Sequence, residues 1–341
     1  MTLQYFLLLF NLVLLLDALQ PVALITGATG RTGKLVTNLL LEKGFDVCMY
    51  CRDEVAARQS FHNPNIDFFQ GDITKKKDIE AAYSRKQFTH VIFMAGGDGA
   101  DYRTVNYHGV ASFAQQATQC DTIEHFVVIS TAWATKPYSI ASILFNSLYT
   151  DSVPMASHYL GEEALRKVSS DTNGRLNYVI LRAGGLNTDE NYAKKYPNAV
   201  GMGLTYQQGD SFDFMGIAGR PGMARSQLAH AVVSALNVEG RYTVEVTGNG
   251  TVALDDSKIY QDFVQDNSVV ISPTSQEEEI IRLHIDAVDQ FKKTVIAASL
   301  GGIALVVVFG WFQGLFLLFS MDTILLIVWS IFFANRQATS G

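Results

Sequence analysis

The chain has 341 residues, 48% hydrophobic and 17% charged, with a formal net charge of −7. That length holds one large α/β domain of roughly 250 residues plus extra segments. The negative charge argues against a nucleic-acid partner, which requires a basic face for the phosphates, and the three cysteines, Cys48, Cys51 and Cys120, are too few and odd in number for a disulfide framework.

Leu3 to Leu19, "LQYFLLLFNLVLLLDAL", forms the core of a hydrophobic segment over residues 1–20. Two readings stand: an uncleaved anchor or targeting segment, and a cleaved signal. No Lys or Arg precedes it and no small-x-small site stands out before Pro21, which favours the uncleaved form.

Strand and helix patterns then alternate. "VALITG" is an apolar run ending in glycine, and "GKLVTNLLLEKG" has helical spacing at Leu35, Leu39 and Leu40. "DVCMYCRD" and "IDFFQGD" read as the second and third strands, "DIEAAYS" opens a helix, and "HVIFMAGG" is the fourth strand. Cys48 and Cys51 lie three apart on the second strand and point to opposite faces, so they read as small apolar fillers rather than a redox or metal pair. Further on come the helix "VNYHGVASFAQQATQ", the strand "HFVVIS", the helix "GEEALRKVSS" and the strand "NYVILRAGG". Repeated β-α-β units with near-continuous apolar strands predict a Rossmann-like, doubly wound parallel sheet buried on both faces. Asn187 to Pro221 is rich in Gly, Asn and Tyr and reads as a small irregular substrate-side region; "QLAHAVVSALN" and "YTVEVTG" add a helix and a late strand. The domain is thus expected over residues 21–271.

An acidic amphipathic linker helix is expected over 272–293, with a capping box at Ser275 and Glu278 and an apolar side at Ile280, Ile281, Leu283, Val288 and Phe291. Thr294 to Ala334 then carries one ionisable side chain, Asp322. Two spans fit if the turn lies at "GWFQG", Gly310 to Gly314, although Asp322 then costs about 2.5–3.5 kcal/mol on insertion. The expectation is a transmembrane helical hairpin over 294–335. Lys292, Lys293 and Arg336 put both ends on one side, so the chain is expected to be an integral membrane protein of the endoplasmic reticulum or a plastid, its domain on a reducing side.

The strongest motif is "TGATGRTGKLV", Thr26 to Val36. It follows an apolar strand and opens an amphipathic helix, the setting that dinucleotide binding requires. Gly27 permits the tight turn, Gly30 lets the backbone approach a pyrophosphate, and Gly33 lets helix and strand pack closely. Thr29, Arg31 and Thr32 complete the loop, and the helix N-terminus offers unpaired N–H groups to phosphates. Arg52 and Asp53 both stand where the second strand ends. An acidic group there suits the ribose hydroxyls of NAD(H) and a basic one a 2′-phosphate. With Arg31 as a second positive charge, NADP(H) is favoured over NAD(H).

These features resemble the atypical short-chain dehydrogenase/reductase family with an NmrA-like NAD(P)-binding domain, including plant and algal plastid members. The resemblance rests on "TGATGRTGKLV", "GDIT", "VIFMAGG", "HFVVIST" and "NYVILRAGGL", over about Val22 to Gly248. It implies that Asp72 and Ile73 flank the adenine. It further implies that Ala95, Gly96 and Gly97 pass along the ribose side, and that Ser130 and Thr131 end the fifth strand near the nicotinamide.

The catalytic pattern departs from that of the common short-chain dehydrogenases, in which a Tyr acts as acid/base and a Lys four residues on lowers its pKa. Aligning Glu162 with the family's acidic landmark puts His158 at the Lys position and Pro154 at the Tyr position. Proline has no side-chain proton to give. The catalytic candidates are therefore Ser130, Thr131 and His158. The expected function is NADP(H)-dependent oxidoreduction of a small apolar substrate. The alternative is a non-catalytic NADP(H)-binding redox sensor or assembly factor for a membrane protein complex.

Overall fold

A computed structural model describes residues 20–97, 101–148, 153–195, 203–209, 222–248, 260–266 and 273–309. The N-terminal segment expected over 1–20 falls, but for Gln20, outside them.

The first half of the chain builds a sheet from short apolar strands: β1 (Val22–Thr26), β2 (Asp46–Cys51), β3 (Ile66–Gln70) and β4 (His90–Phe93). Between them run α1 (Arg31–Glu42), α2 (Glu54–Ser60) and α3 (Lys76–Arg85). A π-helical turn, Arg103–Gly109, leads into α4 (Val110–Ala117), β5 (His125–Thr131), α5 (Ile140–Leu148), α6 (Pro154–Asp171) and β6 (Asn177–Ala183). The remaining strands are β7 (Leu186–Asn187), β8 (Leu204–Gln207), β9 (Met223–Ala224) and β10 (Arg241–Gly248). The later helices are α7 (Asp189–Lys195), α8 (Arg225–Ser234) and α9 (Pro273–Phe309).

The main sheet has eight strands in the order β3-β2-β1-β4-β5-β6-β10-β8, parallel except for β8, which pairs antiparallel with β10. Strands β1 and β4 are in register from Ala23 opposite His90 to Thr26 opposite Phe93. Apolar side chains leave both faces of each strand, so helices must cover both. Val36 and Leu40 of α1, Ala57 of α2 and Leu228 and Val232 of α8 fill one face. Ile79 and Tyr83 of α3, Phe113 of α4 and Leu165 of α6 fill the other. Cys48 and Cys51 fall in opposite layers as their spacing required, both reduced. Burial pushes both thiols up, Cys48 to about 12 and Cys51 to about 11.

The chain winds outward through β2 and β3, then returns to wind the other way through β4, β5 and β6. The carboxyl ends of β1 and β4 therefore face connections that diverge, leaving a crevice, the topological switch point of an open α/β sheet.

The transmembrane hairpin and the integral-membrane location expected from hydropathy are corrected. Among the described residues no helix is long and apolar enough to cross a membrane. Instead of a linker and a separate span there is one continuous helix, α9, starting at Pro273, so Ser275 stands inside it rather than capping it. Its earlier turns bury His284, Ala287 and Val288 and pack on α5 and α6. The second arm expected for the hairpin, with Asp322, lies outside the described residues.

Candidate functional site

The loop after β1 is shaped by two glycines. Gly27 has φ 71°, and a Cβ there would sit 2.6 Å from the carbonyl oxygen of Met94, so no other residue fits. A Cβ on Gly33 would collide with the Gly27 carbonyl oxygen; its absence lets α1 lie directly against the turn. Gly30 differs. It is the N-cap of α1, in extended conformation, and a Cβ there would meet only the Gly27 oxygen, at 3.1 Å. No side chain caps α1, and no acidic residue stands in its first turn. Its first N–H groups thus have no capping side chain, and they stand at the positive end of the helix dipole.

This loop is one wall of a cleft of about 300 Å³ at the switch point. The Thr26 hydroxyl accepts from the amides of Met94 and Ala95, both at 3.2 Å, and so ties the ends of β1 and β4 into a floor. Of the residues expected to bind a cofactor, Gly27, Thr29, Gly30, Arg52, Ile73, Ala95, Gly96 and Gly97 line the cleft. Thr26, Tyr50, Cys51, Gly71, Met94, Asp101 and Val105 complete it. Gly33 is under the loop. Arg31 and Thr32 open α1 without lining the cleft, and Arg31 lies near Arg225, whose guanidinium is pushed down by burial and then by the Arg31 charge. Asp72 faces away: its carboxylate accepts from the Thr74 amide at 2.9 Å and the Thr74 hydroxyl at 2.8 Å, which holds its pKa below the usual range.

At the end of β2 the two charged residues part. Asp53 is the N-cap of α2, accepting from the Ala56 amide at 3.0 Å. Arg52, exposed and just past the end of β2, is the one of the two that lines the cleft.

The three catalytic candidates sit beyond the cleft lining. Ser130, buried at the end of β5, donates to Glu162 at 2.6 Å. Arg182 grips the same carboxylate at 2.6 Å, and Arg166 joins at 3.1 Å. Burial opposes the charge on Glu162, but the two guanidiniums outweigh it and bring its pKa down to about 2. Thr131, half-buried, has a long bond to the Ala132 carbonyl, 3.4 Å. His158 is pushed down to about 4 by burial, which the Glu162 charge opposes only in part, so it is neutral near pH 7. Its Nε2 lies 3.0 Å from Nδ2 of Asn106.

No motif in the sequence points to Asn106. Its Oδ1 accepts from the Gly97 amide at 2.7 Å, linking the cleft wall to His158. It lies in the π-helical turn, where the extra residue per turn swings side chains off the regular helical face. That turn also brings Val105 to the cleft. A spacing argument based on a regular helix through "VNYHG" could not place it.

The crevice, the bare helix N-terminus and the glycine turn define a Rossmann-type dinucleotide-binding protein. A family model described as NAD(P)H-binding matches residues 27–239. The chain belongs to this family, and the resemblance to NmrA-like proteins stands. It is similar to an uncharacterized chloroplastic protein of Arabidopsis thaliana, 28% identical over 174 residues, 48% of this chain; the chain spans 59% of that relative's length. Among solved structures it is similar to a putative NAD-dependent epimerase/dehydratase from Bacillus halodurans (TM-score 0.53, 18% identity, 71% of this chain and 100% of that one). It is also similar to the oxidoreductase ylbE from Lactococcus lactis (TM-score 0.52, 16% identity, 72% and 99%). At these identities the structural likeness establishes the fold alone.

Proposed function

We propose that this chain binds NADP(H) in preference to NAD(H) and transfers hydride between it and a small apolar substrate. The observation that carries the cofactor choice is the division of labour at the end of β2. Asp53 is held by α2, and Arg52 stands in the cleft, where a guanidinium suits a 2′-phosphate. The residues present fit the group. The turn at Gly27, the open side of Gly30 and the uncapped α1 would take the pyrophosphate. Ile73 and Ala95 to Gly97 would line the path of the adenosine half.

A reduced nicotinamide supplies hydride to an electrophilic carbon. The chain's part is to hold and orient. Ala132, Trp133 and Met155 form a buried apolar cluster beside the end of β5, which supports an apolar substrate. Trp133 has φ 64°, a left-handed conformation that costs a bulky residue about 1–3 kcal/mol; the Ser142 hydroxyl secures it by donating to its carbonyl at 2.9 Å. The Ser130 hydroxyl donates its hydrogen bond to Glu162, so we assign the polarising of an acceptor to Thr131 and a positioning part to His158.

A second reading, a non-catalytic redox sensor or assembly factor for a protein complex, has its own support: Pro154 stands where a proton-donating Tyr would, and His158 is half-buried and neutral. Two measurements test these readings. Arg52→Ala should weaken NADPH binding by about 1.5–3 kcal/mol and leave NADH nearly unchanged; equal loss for both would refute the cofactor assignment. NADPH consumption against a panel of quinones and carbonyl compounds separates reductase from sensor, and no turnover with any of them would favour the sensor.

A further inference from the structure

Tyr50 has a feature that no sequence pattern marks. It is the second-last residue of β2, lines the cleft and is 4% exposed, and its hydroxyl is buried without a hydrogen-bond partner. Its ring is fixed from two sides. Phe69 stacks on it at 5.5 Å between centroids with a 26° tilt, and Phe113 meets it edge-on at 5.2 Å. The hydroxyl therefore sits at the tip of a side chain that cannot turn away. Gly71 makes room for it: a Cβ at 71 would lie 2.6 Å from the hydroxyl oxygen. A buried hydroxyl is costly unless something pairs with it, yet this one belongs to a residue that lines the cleft together with Ile73 and Arg52.

We propose that the Tyr50 hydroxyl is a positioning group for the nucleotide's purine, donating a hydrogen bond to a ring nitrogen of the base. The proposal rests on the nucleotide reading above. The geometry supplies a rigid donor and the ligand supplies its missing acceptor. Burial, then the charges of Asp78 and Asp72, push the phenol above its ordinary pKa, so it keeps its proton at all physiological pH values. An apolar residue at this position would give the base a wall; a tyrosine gives it an anchor that fixes where the ribose and its 2′-phosphate lie relative to Arg52.

The test is Tyr50→Phe in the full chain, which removes one oxygen and keeps the ring stack. Affinity is measured for NADPH and for 2′,5′-ADP, which carries only the adenosine half, and melting is followed with and without nucleotide. The expected result is a loss of roughly tenfold for both ligands. The melting temperature without nucleotide should be unchanged or higher, because the variant no longer buries an unpaired hydroxyl. If wild-type and variant bind both ligands equally while Gly30→Val abolishes binding, the Tyr50 assignment fails and the nucleotide reading stands. If the wild-type chain binds neither ligand, both fail. A variant that melts lower without nucleotide and binds unchanged would make Tyr50 a packing residue only.

Discussion

Single side chains decide most of the chemistry in this cleft, and two neighbours with opposite charge show how. Arg52 and Asp53 are adjacent, and composition alone leaves either as the ribose-side group. The backbone resolves it: α2 needs an acceptor for its first amides, and Asp53 supplies one. Asp53→Ala should therefore cost about 1 kcal/mol of stability without changing the preference between NADPH and NADH; a shift in that preference would show that Asp53 reads the ribose after all. The buried cluster around Glu162 makes a second residue-scale expectation. Arg182→Met leaves a buried carboxylate with Arg166 as its remaining cation and should destabilise the fold by about 3 kcal/mol, measured as a shift of the urea midpoint. At this scale the glycine loop is legible in the sequence, because each glycine has a steric reason tied to the strand–turn–helix setting. Tyr50 is not, since an apolar strand containing an aromatic reads as core whatever its hydroxyl faces. Nor does the sequence say that Ser130 has its proton committed to Glu162, a partner 32 positions away.

At the scale of elements, the parallel strands of the main sheet and most helices are legible, since a parallel sheet buried on both faces forces continuous apolar runs; the antiparallel β8 is not, because it lies in the stretch that reads as irregular. The short α2 and the helix α5 (Ile140–Leu148) are not, the one having too few turns to show a period and the other being apolar on most sides. In the C-terminal part hydropathy does not show that the expected linker and the residues after it form one helix, whose earlier turns bury His284, Ala287 and Val288 and pack on α5 and α6. Helix α9 also holds the π-helical turn. Glu277 pairs with Arg103 and accepts from the Tyr107 hydroxyl at 3.1 Å. On the inner side of that turn, Gly161 of α6 lets the helix approach so closely that a Cβ would collide with the Asn106 carbonyl. Gly161→Ala should push α6 and the turn apart, costing about 1–3 kcal/mol. Because Asn106 holds the Gly97 amide at the cleft wall, nucleotide affinity should fall with it. Hydrogen exchange would show the change as lost protection over Arg103 to Gly109. Full protection with undiminished affinity would mean the turn absorbs a methyl freely.

For the whole molecule, three histidines, His90 and His284 buried and His158 half-buried, set the response to acid. His90, His158 and His284 are each brought down to about 4, first by burial; the neighbouring His125 adds to this at His90, and the Glu162 charge opposes it at His158. Unfolded, each titrates near 6.5. As pH falls below 6.5 the unfolded chain takes up protons that the folded chain refuses, so stability is lost between about pH 6.5 and 4. From pH 4.5 down to about 2, Glu162 adds to the loss, since its folded pKa is depressed. Urea unfolding should show a plateau above pH 7 and a loss of at least about 2 kcal/mol by pH 5; stability unchanged between pH 7 and 5 would contradict this assignment of neutral imidazoles.

The central claim is that the cleft at the β1–β4 switch point holds the pyrophosphate of a dinucleotide against the bare N-terminus of α1. Calorimetric titration of the full chain with NADPH, before and after Gly30→Val, tests it directly. A Cβ at Gly30 meets a single atom, the Gly27 carbonyl oxygen at 3.1 Å, so stability should fall by about 1–2 kcal/mol. The same side chain would fill the space on the phosphate side, and binding should weaken by roughly a hundredfold or more. A folded variant that binds NADPH as tightly as the wild-type chain would contradict the account.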